Sequence, residues 1–160
     1  MKKAIISLGF FLMLALVGCS NPVQDDLLSY VNDELIPISQ LEVDAMDAYA
    51  SVTGVNYTDD YTLYDVLEVT VLPNYEDFYE KLNLITPKTE EVKEIHDIYV
   101  EGVGEQYQAL LTLRVAIETQ SLDEVNAANE KLMSGTQKIN DFRFQLQKLA
   151  GENDVELEDF

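Results

Sequence analysis

The sequence is poor in the residues from which many sites are built. It has one cysteine and one histidine in 160 residues, and 10 Lys plus Arg against 30 Asp plus Glu. A single Cys excludes an internal disulfide, and a single His excludes any centre made of several imidazoles. A formal charge of -20 repels phosphate backbones, which proteins hold with Lys and Arg, so nucleic acid is excluded as a partner. Between Lys3 and Lys81 there is no basic residue at all. No His-Glu-x-x-His, no Asp-x-Asp-x-Asp-Gly calcium loop and no Gly-x-Ser-x-Gly occurs. No metal, cofactor or catalytic residue is therefore assigned. No repeat or low-complexity segment is present either, and 47% hydrophobic residues over this length predict one folded domain.

The longest apolar run, Ala4 to Val17, is too short for a permanent membrane helix. At about 1.5 Å per residue it covers roughly 21 Å of a hydrocarbon core about 30 Å thick. It follows the basic start Met1-Lys2-Lys3, as in a secretory signal. It ends in Leu16-Val17-Gly18-Cys19. That tetrapeptide resembles the lipobox of bacterial lipoproteins. The resemblance implies cleavage before Cys19 and a diacylglyceryl group on its thiol. Two acyl chains hold a protein stably where one does so marginally. Loss of residues 1–18 removes two Lys and no acid, leaving 8 basic and 30 acidic residues, or -22. The expected location is the extracytoplasmic face of the plasma membrane of a Gram-positive bacterium, with the lipid anchor as membrane contact. The rest of the chain resembles, in general style only, small helical lipoproteins of unknown function from Bacillus-like bacteria, a likeness that carries no site over.

The expected organisation is a signal peptide at 1–18, a lipidated tether at 19–26, a helical domain at 27–150 and a mobile acidic tail at 151–160. Apolar positions at steps of three and four predict an all-α, up-down-up-down four-helix bundle. The first helix covers about 23–52, with a kink near 33–36 imposed by Pro37. The second covers about 58–84. Its β-branched stretch Val66–Val71 could pass for a strand but would have no partner, and Pro73 should break it in two. The third opens at Thr86-Pro87 and runs to Thr119. The fourth opens at a Ser121/Glu124 capping box and runs to Ala150. In it, Val125, Ala128, Leu132, Gly135, Ile139, Phe142, Leu146 and Leu149 form a heptad seam. The third and fourth helices should fold back on each other, pairing Tyr99 with Phe142 and setting the Tyr107 ring over Gly135. Gly102-Val103-Gly104 reads as a kink or a close helix crossing, and His96 as a boundary histidine bonded to a carboxylate.

The most suggestive stretch for function is 56–79. Tyr57, Tyr61, Tyr64, Tyr75 and Tyr79 alternate there with acids that include Asp59, Asp60 and Glu76. Tyrosine buries area at small entropic cost and keeps a polar tip, which favours it at interfaces. With an acidic rim, the stretch suits a basic envelope or secreted protein. The alternative is that the rings fill the bundle with their hydroxyls at its edge. Two functional classes follow. One is a non-enzymatic binding module, with immunity or exclusion of foreign DNA as a role that suits it. The other is an enzyme or accessory subunit acting on envelope polymers, which needs a concave pocket in 57–79 with two carboxylates about 5–10 Å apart.

Overall fold

The computed structural model describes residues 21–157. The signal segment, the expected lipidation site Cys19 and the last three residues of the expected tail lie outside them. Among the described residues all regular structure is helical, arranged as four rods in a bundle. The first rod is α1 (Pro22–Ser29), a π-helical turn (Tyr30–Leu35) and α2 (Ile36–Ser51). The second is α3 (Asp60–Val66), another π turn (Leu67–Val71) and α4 (Leu72–Leu84). Two uninterrupted helices follow, α5 (Glu90–Thr119) and α6 (Leu122–Glu152).

Both prolines act in the same way. Proline has no N–H to donate, and its ring collides with the carbonyl four residues back. Pro37 and Pro73 each stand two residues beyond a π turn, in which the ladder reaches five residues instead of four. The wider turn takes up the mismatch and the helix resumes. Pro73 therefore does not break the second rod, and the β-branched run 66–71 is helical, its larger part forming the π turn. The irregularity expected near 33–36 lies at 30–35 and takes the same form.

The α5/α6 hairpin turns at Gln120, in the left-handed region at φ 53, and at Ser121, whose Oγ accepts from Glu124 N at 3.3 Å. Tyr99 stacks on Phe142 with ring centres 4.2 Å apart and planes 3° off parallel, as the seam predicts. The partner of Gly135 differs from expectation. A Cβ there would lie 2.7 Å from both the Gly102 carbonyl oxygen and Gln106 Cγ, so two glycines from facing helices let the backbones touch. Tyr107 packs instead against Tyr75 and Tyr79, at 6.4 and 5.7 Å between ring centres.

Three boundaries move. Helix α5 starts at Glu90 behind Thr89, not at Thr86-Pro87. The cause is Asp26, a buried carboxylate on α1. It accepts from Lys88 N, Thr89 N and Thr89 Oγ1 at 2.9, 2.7 and 2.7 Å, capping α5 from another rod. The described part of the expected tether is likewise helical from Pro22 on. Asn21 caps α1 through Val23 N and Gln24 N, and Leu27 is fully buried. Nor is the described part of the tail free: Val155 is buried and donates to the Ala150 carbonyl at 2.9 Å. Leu157 packs on the core, and Asn21 Nδ2 donates to Asn153 Oδ1 at 2.8 Å.

Candidate functional site

The tyrosine-acid stretch separates into two groups. Tyr57 and Tyr61 stand at one end of the bundle, 48% and 80% exposed, beside the turn of Gly54–Asn56. Asp59 caps α3 by accepting from Thr62 N at 2.9 Å, a bond that holds its carboxyl below the usual range. Tyr57 donates to Asp60 Oδ1 at 2.9 Å, and half-buried Tyr64 to Glu118 Oε1 at 2.8 Å. Those bonds to carboxylates raise both phenols. Gln120 Nε2 reaches Asp60 Oδ2 at 3.1 Å and draws the α5/α6 turn to the same end.

Tyr75 and Tyr79 do not belong to that surface. Tyr75 is fully buried and donates to Gln106 Oε1 at 2.6 Å, while Gln106 Nε2 reaches Thr136 Oγ1 at 2.9 Å. Burial drives its phenol far above the ordinary range. Tyr79 covers Gly104, where a Cβ would sit 3.1 Å from its hydroxyl. Glu76 is exposed, and the Tyr107 phenol is pushed up to about 12, first by burial and then by the Glu76 carboxylate. The distinguishing signal was in the spacing. Leu67, Val71, Tyr75, Phe78 and Leu82 form one stripe at steps of three and four, and all are buried. The rings thus fill the bundle in one part of the stretch and are exposed in the other.

A second feature was not anticipated. The first π turn and the start of α2 border a cavity of about 530 Å³, closed on its other sides by Tyr99, Phe142, Arg143 and the segment Glu156–Leu157. Glu42 lines it, and Tyr99 donates to Glu42 Oε2 at 2.7 Å. Burial raises the Glu42 carboxyl, against the lowering effects of the Tyr99 bond and the Arg143 charge. Burial and the facing carboxylate also push the Tyr99 phenol well up. Glu42 lies four residues beyond Ile38 and three before Ala45, so it fits the buried stripe of the first rod as well as Leu41 does. An acid at such a position was the available clue.

A larger open groove of about 830 Å³ runs along α5 and α6 past Tyr79, Gly104 and Ser134. Of the four acids that line it, Glu101 and Glu105 pair with Lys138 and Asp97 with Lys93.

His96 is buried, with Nδ1 3.2 Å from the Tyr30 hydroxyl and the two rings edge-on at 86°. Its partner is thus a phenol and not the expected carboxylate. Burial lowers its pKa and favours the neutral ring. Gly102 does mark a close crossing, as its contact with α6 shows. Among the described residues no three His, Cys, Asp or Glu side chains are grouped to hold a metal ion. No described helix is long and apolar enough to cross a membrane.

No curated protein and no solved structure matches the chain. A family model described as EMYY-motif containing lipoprotein matches residues 1–158. The tetrapeptide Glu-Met-Tyr-Tyr does not itself occur in the chain. The match takes in the lipobox and nearly all of the bundle together, and the chain therefore belongs to this family of bacterial lipoproteins, proteins anchored to a membrane.

Proposed function

We propose that the protein is a non-enzymatic binding module, held by a diacylglyceryl group on Cys19 at the extracytoplasmic face of a Gram-positive plasma membrane. It captures a basic protein at the end of the bundle remote from the anchor. The rods are read as up-down-up-down. Contacts Asp26–Thr89 and Tyr30–His96 advance together along the first and third rods, whereas Tyr64–Glu118 and Tyr75–Gln106 run oppositely along the second and third. Residues 22–51 at about 1.5 Å each make a rod of about 45 Å, which sets the Tyr57–Tyr61 end that far from Asn21.

One observation carries the reading. Val55, Tyr57, Tyr61 and Leu122 are 101%, 48%, 80% and 72% exposed at that end, among Asp59, Asp60, Glu118 and Asp123. No Lys or Arg occurs in 52–62 or 117–125. Apolar rings inside an acidic rim suit a basic partner with apolar contact residues, and long-range attraction speeds its capture. Protection of the host cell, by immunity to a secreted toxin or exclusion of incoming DNA, is a use that suits so small an anchored module.

The test is capture from envelope and secreted fractions by the full-length protein in mild detergent, beside a Tyr57→Ala/Tyr61→Ala variant. A basic protein should be retained by the wild type, released by salt and lost from the variant. Equal retention by both would discard this surface.

A further inference from the structure

We propose that the cavity beside the first π turn is a binding site for a small amine with an apolar body, whose ammonium group is received by Glu42. A volume of about 530 Å³ falls within the range of about 300–1,000 Å³ usual for small-molecule sites. The walls supply the apolar contact. Val31 and Phe142 are buried, while Leu28, Ile36 and Val43 remain 40%, 50% and 48% exposed around it. The site adjoins a π turn, an irregularity often found at functional positions.

Charge selects the ligand class. Glu42 and Glu156 face Arg143 alone, an excess of one negative charge among the lining residues. A carboxylate ligand would meet that excess. A neutral apolar molecule would strip water from Glu42 and give it nothing in return, which is costly for a charged group. An ammonium ion supplies the missing donor. Tyr99 fixes the receiving group, because its hydroxyl holds Oε2 and leaves the other oxygen without a hydrogen bond among the described residues, and its ring is braced against Phe142. Burial alone disfavours the ionised form of Glu42, and a bound cation reverses that preference.

The experiment compares 2-phenylethylamine, neutral 2-phenylethanol and anionic 3-phenylpropanoate on the full-length protein in nanodiscs, by calorimetric titration and thermal shift. The amine should bind in the millimolar range or tighter and raise the melting temperature, with weaker effects from the other two. Glu42→Gln keeps an acceptor for Tyr99 and should cut amine affinity at least about tenfold, the usual worth of a charged hydrogen bond. Arg143→Gln alters an exposed side chain, so folding should survive, and amine binding should be retained or strengthened. Three results would overturn the assignment: no binding by any of the three at millimolar concentration, equal binding of amine and alcohol, or tighter binding of the anion that disappears in Arg143→Gln. Tyr57→Ala/Tyr61→Ala should leave amine binding intact, which keeps this site's failure distinct from that of the partner surface.

Discussion

The two halves of the bundle solve helix packing differently. Helices α5 and α6 run for 30 and 31 residues without interruption and meet closely enough for the Gly102 and Gly135 backbones to touch. Each rod of the N-terminal half carries a proline and a π turn. The regular half leaves no interior space at its glycine contact, whereas the irregular half helps enclose a cavity containing a carboxylate. Regularity serves the scaffold, and one departure from it borders the cavity. The N-terminal half also draws a distinction within itself. The first π turn lines the cavity, while the second places Leu67 and Val71 wholly in the core. A π turn opens a site only where neighbouring side chains leave the gap unfilled.

The glycine contact offers the strongest way to break this contrast. Gly135→Ala pushes a Cβ into the Gly102 carbonyl, and overpacking of this kind costs about 1–3 kcal/mol. A loss near 2 kcal/mol in denaturant titration is expected. Gly151→Ala lies in the same helix with nothing within 4 Å of the new methyl, and should stabilise by up to about 1 kcal/mol. If both changes moved stability in the same direction, close approach would not explain Gly135.

Shortening the π turns sharpens the contrast between them. A turn reaching five residues holds one more than the α-helical turn, so deleting exposed Asn32 or exposed Val69 should restore an α-helix in register. Both deletions should fold, seen as unchanged helical circular dichroism. Only deletion of Asn32 should abolish amine binding.

Acidity probes two buried groups with opposite signs. Glu42 is raised, so the folded chain holds its proton more tightly than the unfolded chain does. Its stabilising contribution is complete below the ordinary value of 4.5 and is lost as pH rises through the raised value. Glu42→Gln should therefore melt higher than wild type at pH 7, with the gap narrowing towards pH 4.5. His96 is lowered, so the unfolded chain takes up its proton first. Stability should fall as pH drops below the ordinary value of 6.5, a component that His96→Gln should lack. The smallest effect is expected at the tip. Tyr61→Ala, at a side chain 80% exposed, should change stability by less than about 0.5 kcal/mol while weakening capture of the basic partner.

What could be read in advance was whatever neighbouring residues decide. The heptad seam of α6, the Ser121 cap and the stacking of Tyr99 on Phe142 follow from spacing within and across one hairpin. So does the irregular turn before Pro37, though not its π form. What escaped depends on rods meeting far apart in sequence. Asp26 reaches residues 62 and 63 positions away and thereby moves the start of α5. Glu42 meets Tyr99 across 57 positions, and no local pattern announces that pair. The division of the tyrosines lay in between. The stripe through Tyr75 is visible in the spacing, although acids interleave with the tyrosines along the same stretch.

The Asp26 cap has a mechanical consequence. The same end of the bundle gathers the start of the first rod, the start of α5 and the end of α6, the last through Asn21 and Asn153. A pull on the start of the first rod from the membrane anchor arrives at three bonds to one carboxylate and one amide clasp. The load is spread over three helices at once, so the outermost one does not peel away first.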